Sequence, residues 1–303
     1  STSRDGAPQE ARAMSRRRIA ARLTPYWLAL PAWLWLVIFF VVPAFVMLSM
    51  STQTGDIVSG FQQSFRWSNY ADSWNLYHVQ FIRSILYGLI ATALCLVIAY
   101  PVAFWIAFHG GAHKSSLLFL LLLPFFVSFV IRTQSWNFML SDDGIILSPL
   151  KHWGVLGQGF HILATSAAVI GGLTYNFLPF MVLPIYVSLE RVDPALLEAS
   201  ADLYATKAAA FARVVFPLSL PGVFAGVLLT FVPATADYVN AAILGGTKTT
   251  MIGNVIQTEY LTNLNYPIAS ALAFMLMGGL LIGVFAYARA LGTEDVFGAV
   301  GAA

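Results

Sequence analysis

The chain has 303 residues, of which only 10% are charged and 58% are hydrophobic, whereas a soluble domain carries charge on roughly 25% of its positions. With a mean hydropathy of +0.75, most of its surface must be solvated by lipid. The net charge of +2 sits largely at one membrane flank, which argues against nucleic acid, and the single cysteine, Cys95, excludes a disulfide within the chain.

Residues 1–25 form a basic segment containing Arg4, Arg12, Arg16, Arg17, Arg18 and Arg22. The arginine run is faintly similar to a twin-arginine export signal, but the apolar run that follows is too long for a signal-peptide core. Glu10 to Leu23 reads either as a basic helix lying on the membrane surface or as a loose tail. A membrane-crossing helix needs about 20 apolar residues. Five stretches free of Asp, Glu, Lys and Arg qualify: Tyr26 to Met50, Ser84 to Phe108, Ile162 to Leu189, Val214 to Ala236 and Tyr266 to Ala288. A sixth, Ser115 to Met139, is uncharged until Arg132. The runs are continuous rather than alternating, which selects helices over barrel strands. The fold class is therefore all-α, a polytopic membrane domain over 26–290 with six transmembrane helices, followed by a tail at 291–303.

Orientation follows from the positive residues. With both termini in the cytoplasm, eleven of the 16 Lys and Arg fall inside and five outside, the five being Arg66, Arg83, Arg132, Lys151 and Lys248. Prolines 31, 43, 101, 124, 179, 184, 221 and 233 lie within the spans. Each removes a helix hydrogen bond and favours a kink, and neighbouring helices can compensate for it. Gly171-Gly172 and Gly278-Gly279 suit close helix packing.

Between the fourth and fifth spans, residues 190–217 form the most charged stretch outside the N-terminal segment. Asp193 can cap a helix and Pro194 suits its first turn; Thr206 can cap a second helix that runs to Val215, before Pro217 ends it or bends it into the fifth span. The result is a short helix pair projecting on the cytoplasmic side, with one apolar and one charged face, shaped to dock a partner.

Glu198-Ala199-Ser200, Asp202-Leu203, Phe211, Pro217-Leu218 and Pro221-Gly222 resemble the EAA loop of ABC-type importer permeases. The resemblance implies that Glu198, Ala199, Ser200, Asp202, Leu203, Tyr204 and Ala205 couple the membrane helices to an ATP-binding cassette ATPase dimer. The family usually carries glycine six residues after the glutamate, where this chain has Tyr204. A positive φ there would cost tyrosine about 1 kcal/mol or more, so either the turn is built differently or Tyr204 packs on the partner. Further stretches resemble the spermidine/putrescine-type permeases, and within them the B-type subunit: Leu123-Pro124-Phe125-Phe126, Ile131 to Trp136, Asn176 to Met181, Leu183 to Tyr186, Ala236 to Val239, Leu244-Gly245-Gly246 and Met251 to Asn254. The resemblance spans roughly residues 80 to 290. It implies the ABC type I importer permease fold in a bacterial inner membrane, with a second permease subunit, the ATPase dimer and an extracytoplasmic solute-binding protein as partners. The implied cargo is a polyamine, putrescine or spermidine; importers of opines and other small solutes fall in the same subfamily.

Two readings stand for the charges near the outer ends of the spans. Asp237 either attracts a cationic amine, with Trp136, Tyr175, Tyr186 and Tyr238 offering ring faces for cation–π contact, or pairs with Arg132 to hold two helices together. The outer loops, with Asp56, Asp72, Asp142, Asp143 and Glu259, are acidic; they either steer a polyamine or a solute-binding protein or are ordinary solvated surface. No phosphate-binding glycine loop is present: Gly245-Gly246-Thr247-Lys248-Thr249 has the wrong spacing. ATP and its magnesium are therefore expected on a separate subunit, with no cofactor here. His109 and His113 lack further ligands for a metal, and no catalytic constellation emerges. A secondary transporter would show inverted repeats with broken helices at matching positions, and none is visible in the sequence.

Overall fold

The computed structural model describes residues 29–157 and 159–290. The basic segment 1–25, the start of the first span and the tail 291–303 lie outside the described residues. The chain divides into two compact units at Arg66.

In the first unit, helix α1 spans Ala29–Ser51 and is followed by an antiparallel hairpin, β1 Gln53–Asp56 and β2 Gly60–Gln63. Nearly all α1 side chains are exposed, as a lipid-facing helix requires. Its middle, Val37–Val41, winds as a π-helix just ahead of Pro43. A proline ring collides with the carbonyl four residues back; here that residue is Phe39, inside the widened turn, where bonding has already shifted register. In the hairpin loop Asp56 Oδ1 accepts the backbone N–H of Val58 at 2.9 Å and of Ser59 at 2.7 Å, an Asx-type turn. These bonds, the Ser59 N–H foremost, hold the carboxyl below the ordinary carboxylate range.

The second unit begins with α2, Ser68–His109, whose 42 residues measure about 63 Å at 1.5 Å per residue. The sequence places only Ser84 to Phe108 in this span and reads the preceding residues as loop. In the structure the helix starts four turns earlier, because no helix breaker separates Ser68 from the apolar run and the added turns bury Asn69, Ser73 and Phe81. This projection is pinned by Arg83, which donates to the Thr250 carbonyl at 2.8 Å, and by Ser84 Oγ, which accepts the Ile252 N–H at 2.7 Å.

The third expected span is not one straight helix. Gly111–Phe126, comprising helix α3 Lys114–Leu122 and a 3₁₀ turn Leu123–Phe126, meets α4, Phe129–Leu140, at 90°. Pro124 stands in that 3₁₀ turn, and Val127 and Ser128 are extended at the corner. Five helices are long and apolar enough to cross a membrane, and six spans are reached by counting this bent pair as one.

A short helix α5, Leu147–His152, precedes α6, Ser166–Glu190, which Thr165 caps through the Ala168 N–H. Helix α7 is Pro194–Asp202 and α8 is Lys207–Ala236. Pro217 neither ends nor detaches α8: as in α1, a π-helical turn, Phe211–Val215, lies just before it and contains the carbonyl four residues back. Helices α9, Val239–Leu244, and α10, Ile252–Gln257, with a π turn at Thr258–Thr262, lead to α11, Tyr266–Ala290.

Helices α2, α6 and α8 pack on one another to form the core. Ala91, Cys95, Ala99, Ala103 and Ala107 recur every fourth residue along α2 and are all buried, a small-residue seam that lets backbones approach where lipid supplies no hydrophobic drive. Cys95 Sγ donates to the Thr174 carbonyl across it at 3.3 Å. On α8, a Cβ at Gly226 would lie 2.8 Å from Met181 Sδ, and one at Gly222 would meet the Pro184 carbonyl. Of the four glycines read as packing residues, Gly172 makes such an approach, to Asn240 and Leu244, while Gly171, Gly278 and Gly279 face open space.

Candidate functional site

The projecting hairpin at 190–217 takes the form its residues dictate. Asp193 accepts the Ala195 N–H at 2.9 Å with Pro194 opening α7, and Thr206 Oγ1 accepts the Ala209 N–H at 3.2 Å to start α8. The turn between them is a Schellman motif: the Ala205 N–H reaches the Ser200 carbonyl at 3.0 Å and the Tyr204 N–H reaches Ala201 at 2.9 Å. That motif places its C′ residue in the left-handed region, where glycine is usual. Here the residue is Tyr204, with φ of 56°. The turn keeps the glycine-type geometry with a tyrosine in it, and the ring is 96% exposed beside Leu203 at 82%. Glu198, Ala199 and Asp202 are also exposed, while Ser200 and Ala205 are half-buried. The hydrogen-bonded turn thus holds two large side chains, Leu203 and Tyr204, out at the tip.

Two contacts tie the hairpin to the helical core. At its start, Glu190 Oε1 accepts from the Tyr186 hydroxyl at 2.6 Å and lies 3.7 Å from Lys114 Nζ. At its return, the π turn carries Phe211 into a ring cluster: its centroid is 5.7 Å from Tyr100, edge-on, and 5.9 Å from Phe104. Tyr100 also shares a 2.7 Å hydrogen bond with Ser219 of α8. The hairpin is thus continuous with α6 and α8 and in contact with α2.

The residues suggested for a solute path divide between two places. Trp136 and Tyr175 face each other with ring centroids 5.3 Å apart. Asp237 ends α8, is 8% exposed, and its Oδ1 accepts the backbone N–H of Asn240 at 2.7 Å and its Nδ2 at 3.2 Å. Tyr238 follows, half exposed, its carbonyl held by Asn254 Nδ2 at 2.7 Å. Tyr186 is not with them. It sits eleven residues, or about 16 Å, along α6 from Tyr175, at the hairpin.

Asp237 heads a network of neutral polar side chains to which the sequence analysis assigned no role. Asn176 Nδ2 donates both to Asn240 Oδ1 and to Thr133 Oγ1, each at 3.0 Å. All three are fully buried, and Asn176 Oδ1 has no partner. The network Asp237–Asn240–Asn176–Thr133 thus joins α4, α6, α8 and α9 through polar side chains in an apolar setting, where such groups are costly unless bonded. Uncharged Asn and Thr inside otherwise apolar spans are the signal that could have identified it. Arg132 does not pair with Asp237: among the described residues no ion pair joins them, and the buried guanidinium lies over Phe125, 4.7 Å from the ring centroid, and over Phe129 at 5.7 Å. Of the acidic outer residues, Asp142 bonds Lys151 Nζ at 2.7 Å and His161 Nδ1 at 2.6 Å, and the Lys151 bond leads in holding its carboxyl below the ordinary range. Among the described residues no cluster of His, Cys, Asp and Glu has the form of a metal site.

No family model matches the chain. It is 37% identical over 257 residues to the spermidine/putrescine transport system permease protein PotB of Haemophilus influenzae, covering 84% of this chain and 90% of that protein. It is likewise 37% identical over 254 residues to the protein of the same name from Escherichia coli, covering 83% and 92%. Among solved structures, a bacterial ABC transporter involved in the import of the acidic polysaccharide alginate superposes with a TM-score of 0.69 at 18% identity, covering 91% of this chain and 97% of that one. At that identity the likeness speaks for the fold: the helices are arranged as in an ABC importer permease.

Proposed function

The chain belongs to the spermidine/putrescine transport system permeases, and from that premise we propose that it forms half of the pathway by which an ATP-driven importer carries putrescine or spermidine across the bacterial inner membrane. It pairs with a second permease, receives cargo from an extracytoplasmic solute-binding protein and takes its driving force from an ATPase dimer, which carries the ATP and magnesium. Both termini lie in the cytoplasm. The observation that carries the reading is the hairpin: a Schellman turn presents Leu203 and Tyr204, with Glu198 and Asp202 exposed beside them, and Phe211, on α8, packs on α2.

Transport proceeds by alternating access. Closure of the ATPases on ATP draws the hairpins together, and Phe211 and Glu190 pass that displacement to α2, α6 and α8, which reopen the cavity on the opposite side. Asp237 and the rings of Trp136, Tyr175 and Tyr238 attract and seat the amine cation on the way, and Tyr186 serves at the hairpin through Glu190.

Co-purification tests the proposal. The wild-type chain brings down an ATPase subunit, and Glu198→Arg, placing a cation on the exposed face of α7, reduces recovery at least tenfold while α6 and α8 stay folded by circular dichroism. Full ATPase recovery with the arginine variant and undiminished putrescine uptake would overturn it.

A further inference from the structure

Arg132 stands just past the corner of the bent span and is 7% exposed. Its guanidinium makes no hydrogen bond or ion pair among the described residues, and Nε is closed to solvent and unpartnered. A charge kept inside a membrane domain is costly and marks a functional position; an apolar side chain would pack there without that cost. What the guanidinium does have is two rings. Its Cζ lies 4.7 Å from the centroid of Phe125, which precedes the corner, and 5.7 Å from that of Phe129, which follows it. Phe125 lies in turn edge-on to Phe180 of α6, at 5.2 Å. The stack therefore runs from α4 back across the corner and on to α6. The backbone by itself does not fix the 90° angle. Val127 and Ser128 are extended, a broad region in which rotation is soft, and Ser128 makes no side-chain cap to α4. The nearest backbone bonds, Val127 N–H to the Pro124 carbonyl and Arg132 N–H to the Ser128 carbonyl, each close a turn on one side only.

We propose that Arg132 is a positioning residue for the solute path: stacked on Phe125, its guanidinium braces the corner and holds α4 at the angle that brings Trp136 against Tyr175. Trp136 follows Arg132 by one helical turn, on the same side of α4, and its ring centroid is 5.3 Å from that of Tyr175. Thr133, the next residue after Arg132, meets Asn176 of α6, beside Tyr175. A change of angle at the corner swings α4 as a unit and parts both contacts. Arginine suits the task because a guanidinium is planar and stacks on aromatic faces, and the attraction of a cation to a ring face grows where water is excluded. Lysine keeps the charge but not the plane.

The proposal rests on the reading of Trp136 and Tyr175 as part of the solute path only for its effect on uptake; the brace itself is measured separately, with two spin labels. Leu120, on α3, and Phe138, on α4, are 63% and 67% exposed, and Cys95 is fully buried. Chains carrying labelled Leu120→Cys and Phe138→Cys, purified with their companion subunits in nanodiscs without nucleotide, report the distance across the bend by double electron–electron resonance. Ser135→Cys, also exposed, replaces the second label if Phe138→Cys does not react. With Arg132 and Phe125 in place the distance distribution should be narrow. Arg132→Lys and Phe125→Leu should each broaden it at least twofold, and without the labels should lower putrescine uptake at least fivefold, with circular dichroism and ATPase recovery unchanged. Phe125→Tyr, which keeps a ring face, should match wild type in both measurements. An unchanged distance in Arg132→Lys would overturn the stacking role, and an unchanged distance in Phe125→Leu would reduce that ring to apolar packing and overturn it equally. A loosened corner with full uptake would overturn the positioning of the solute path. Should the unmodified importer carry no putrescine, the polyamine reading falls alone, and the distances still decide whether Arg132 braces the corner.

Discussion

At Tyr204 a side chain occupies a backbone conformation that favours glycine. The left-handed φ costs an L-residue about 1–2 kcal/mol, and the exposed ring recovers none of it by packing within the described chain. Tyr204→Gly should therefore stabilise the turn by about 1 kcal/mol, seen as roughly fivefold slower amide exchange at Ala205, whose N–H closes the motif. If the ring also packs on the ATPase, the same variant should weaken ATPase recovery while firming the turn, so the two measurements separate its two roles. The buried network behaves oppositely. Asn176→Leu removes the donor shared by Thr133 and Asn240 and leaves each without that bond, at about 1–3 kcal/mol per group. Thermal unfolding of the solubilised chain should fall accordingly, and combining it with Thr133→Val should destabilise by less than the sum, since the two share one bond.

Among the elements, the π turn of α8 is the most consequential, because it lets a proline stand inside an unbroken helix. Phe211 opens that turn and lies against Tyr100 and Phe104 of α2, so a push on the hairpin reaches two core helices through one ring. Phe211→Ala should leave ATPase recovery within twofold of wild type, since the exposed tip is untouched, but lower putrescine uptake at least tenfold while ATP hydrolysis persists. Uptake and hydrolysis falling together would instead show that the ring only holds the hairpin in shape. The bent pair around Pro124 was hidden at this scale. Hydropathy reports composition along the chain, and a run interrupted by a 90° corner has the same composition as a straight span. The projection of α2 was hidden for the converse reason: the four added turns are too polar to read as membrane, and their helicity rests on contacts with residues 250–268.

For the whole molecule, the orientation is set by charge and can be read by labelling, with Cys95 buried and silent. Leu203→Cys, at the exposed hairpin tip, should react with an impermeant thiol reagent only in inverted vesicles, and Ile145→Cys, also exposed, only in intact cells. The reverse pattern would turn the hairpin outward and remove its part in coupling. Much of the architecture was legible beforehand. Apolar runs located the membrane helices, and Asp193 and Thr206 are the caps they promised to be, with Pro194 in the first turn, because caps act through neighbours two or three residues away.

What lies far apart in the sequence was not legible. The amino-acid sequence alone determined that the chain lives in lipid, where its spans lie and where the hairpin starts and restarts, since each depends on local composition or on bonds a few residues long. Only the tertiary structure decided that Arg132 stacks on phenylalanine rings instead of pairing with Asp237, that Asn176 joins four helices, and that Tyr186 belongs to the hairpin. These depend on helix rotation and crossing, which are set by small-residue seams such as that on α2 fitting their neighbours in three dimensions, and no short-range pattern encodes the outcome of that fit.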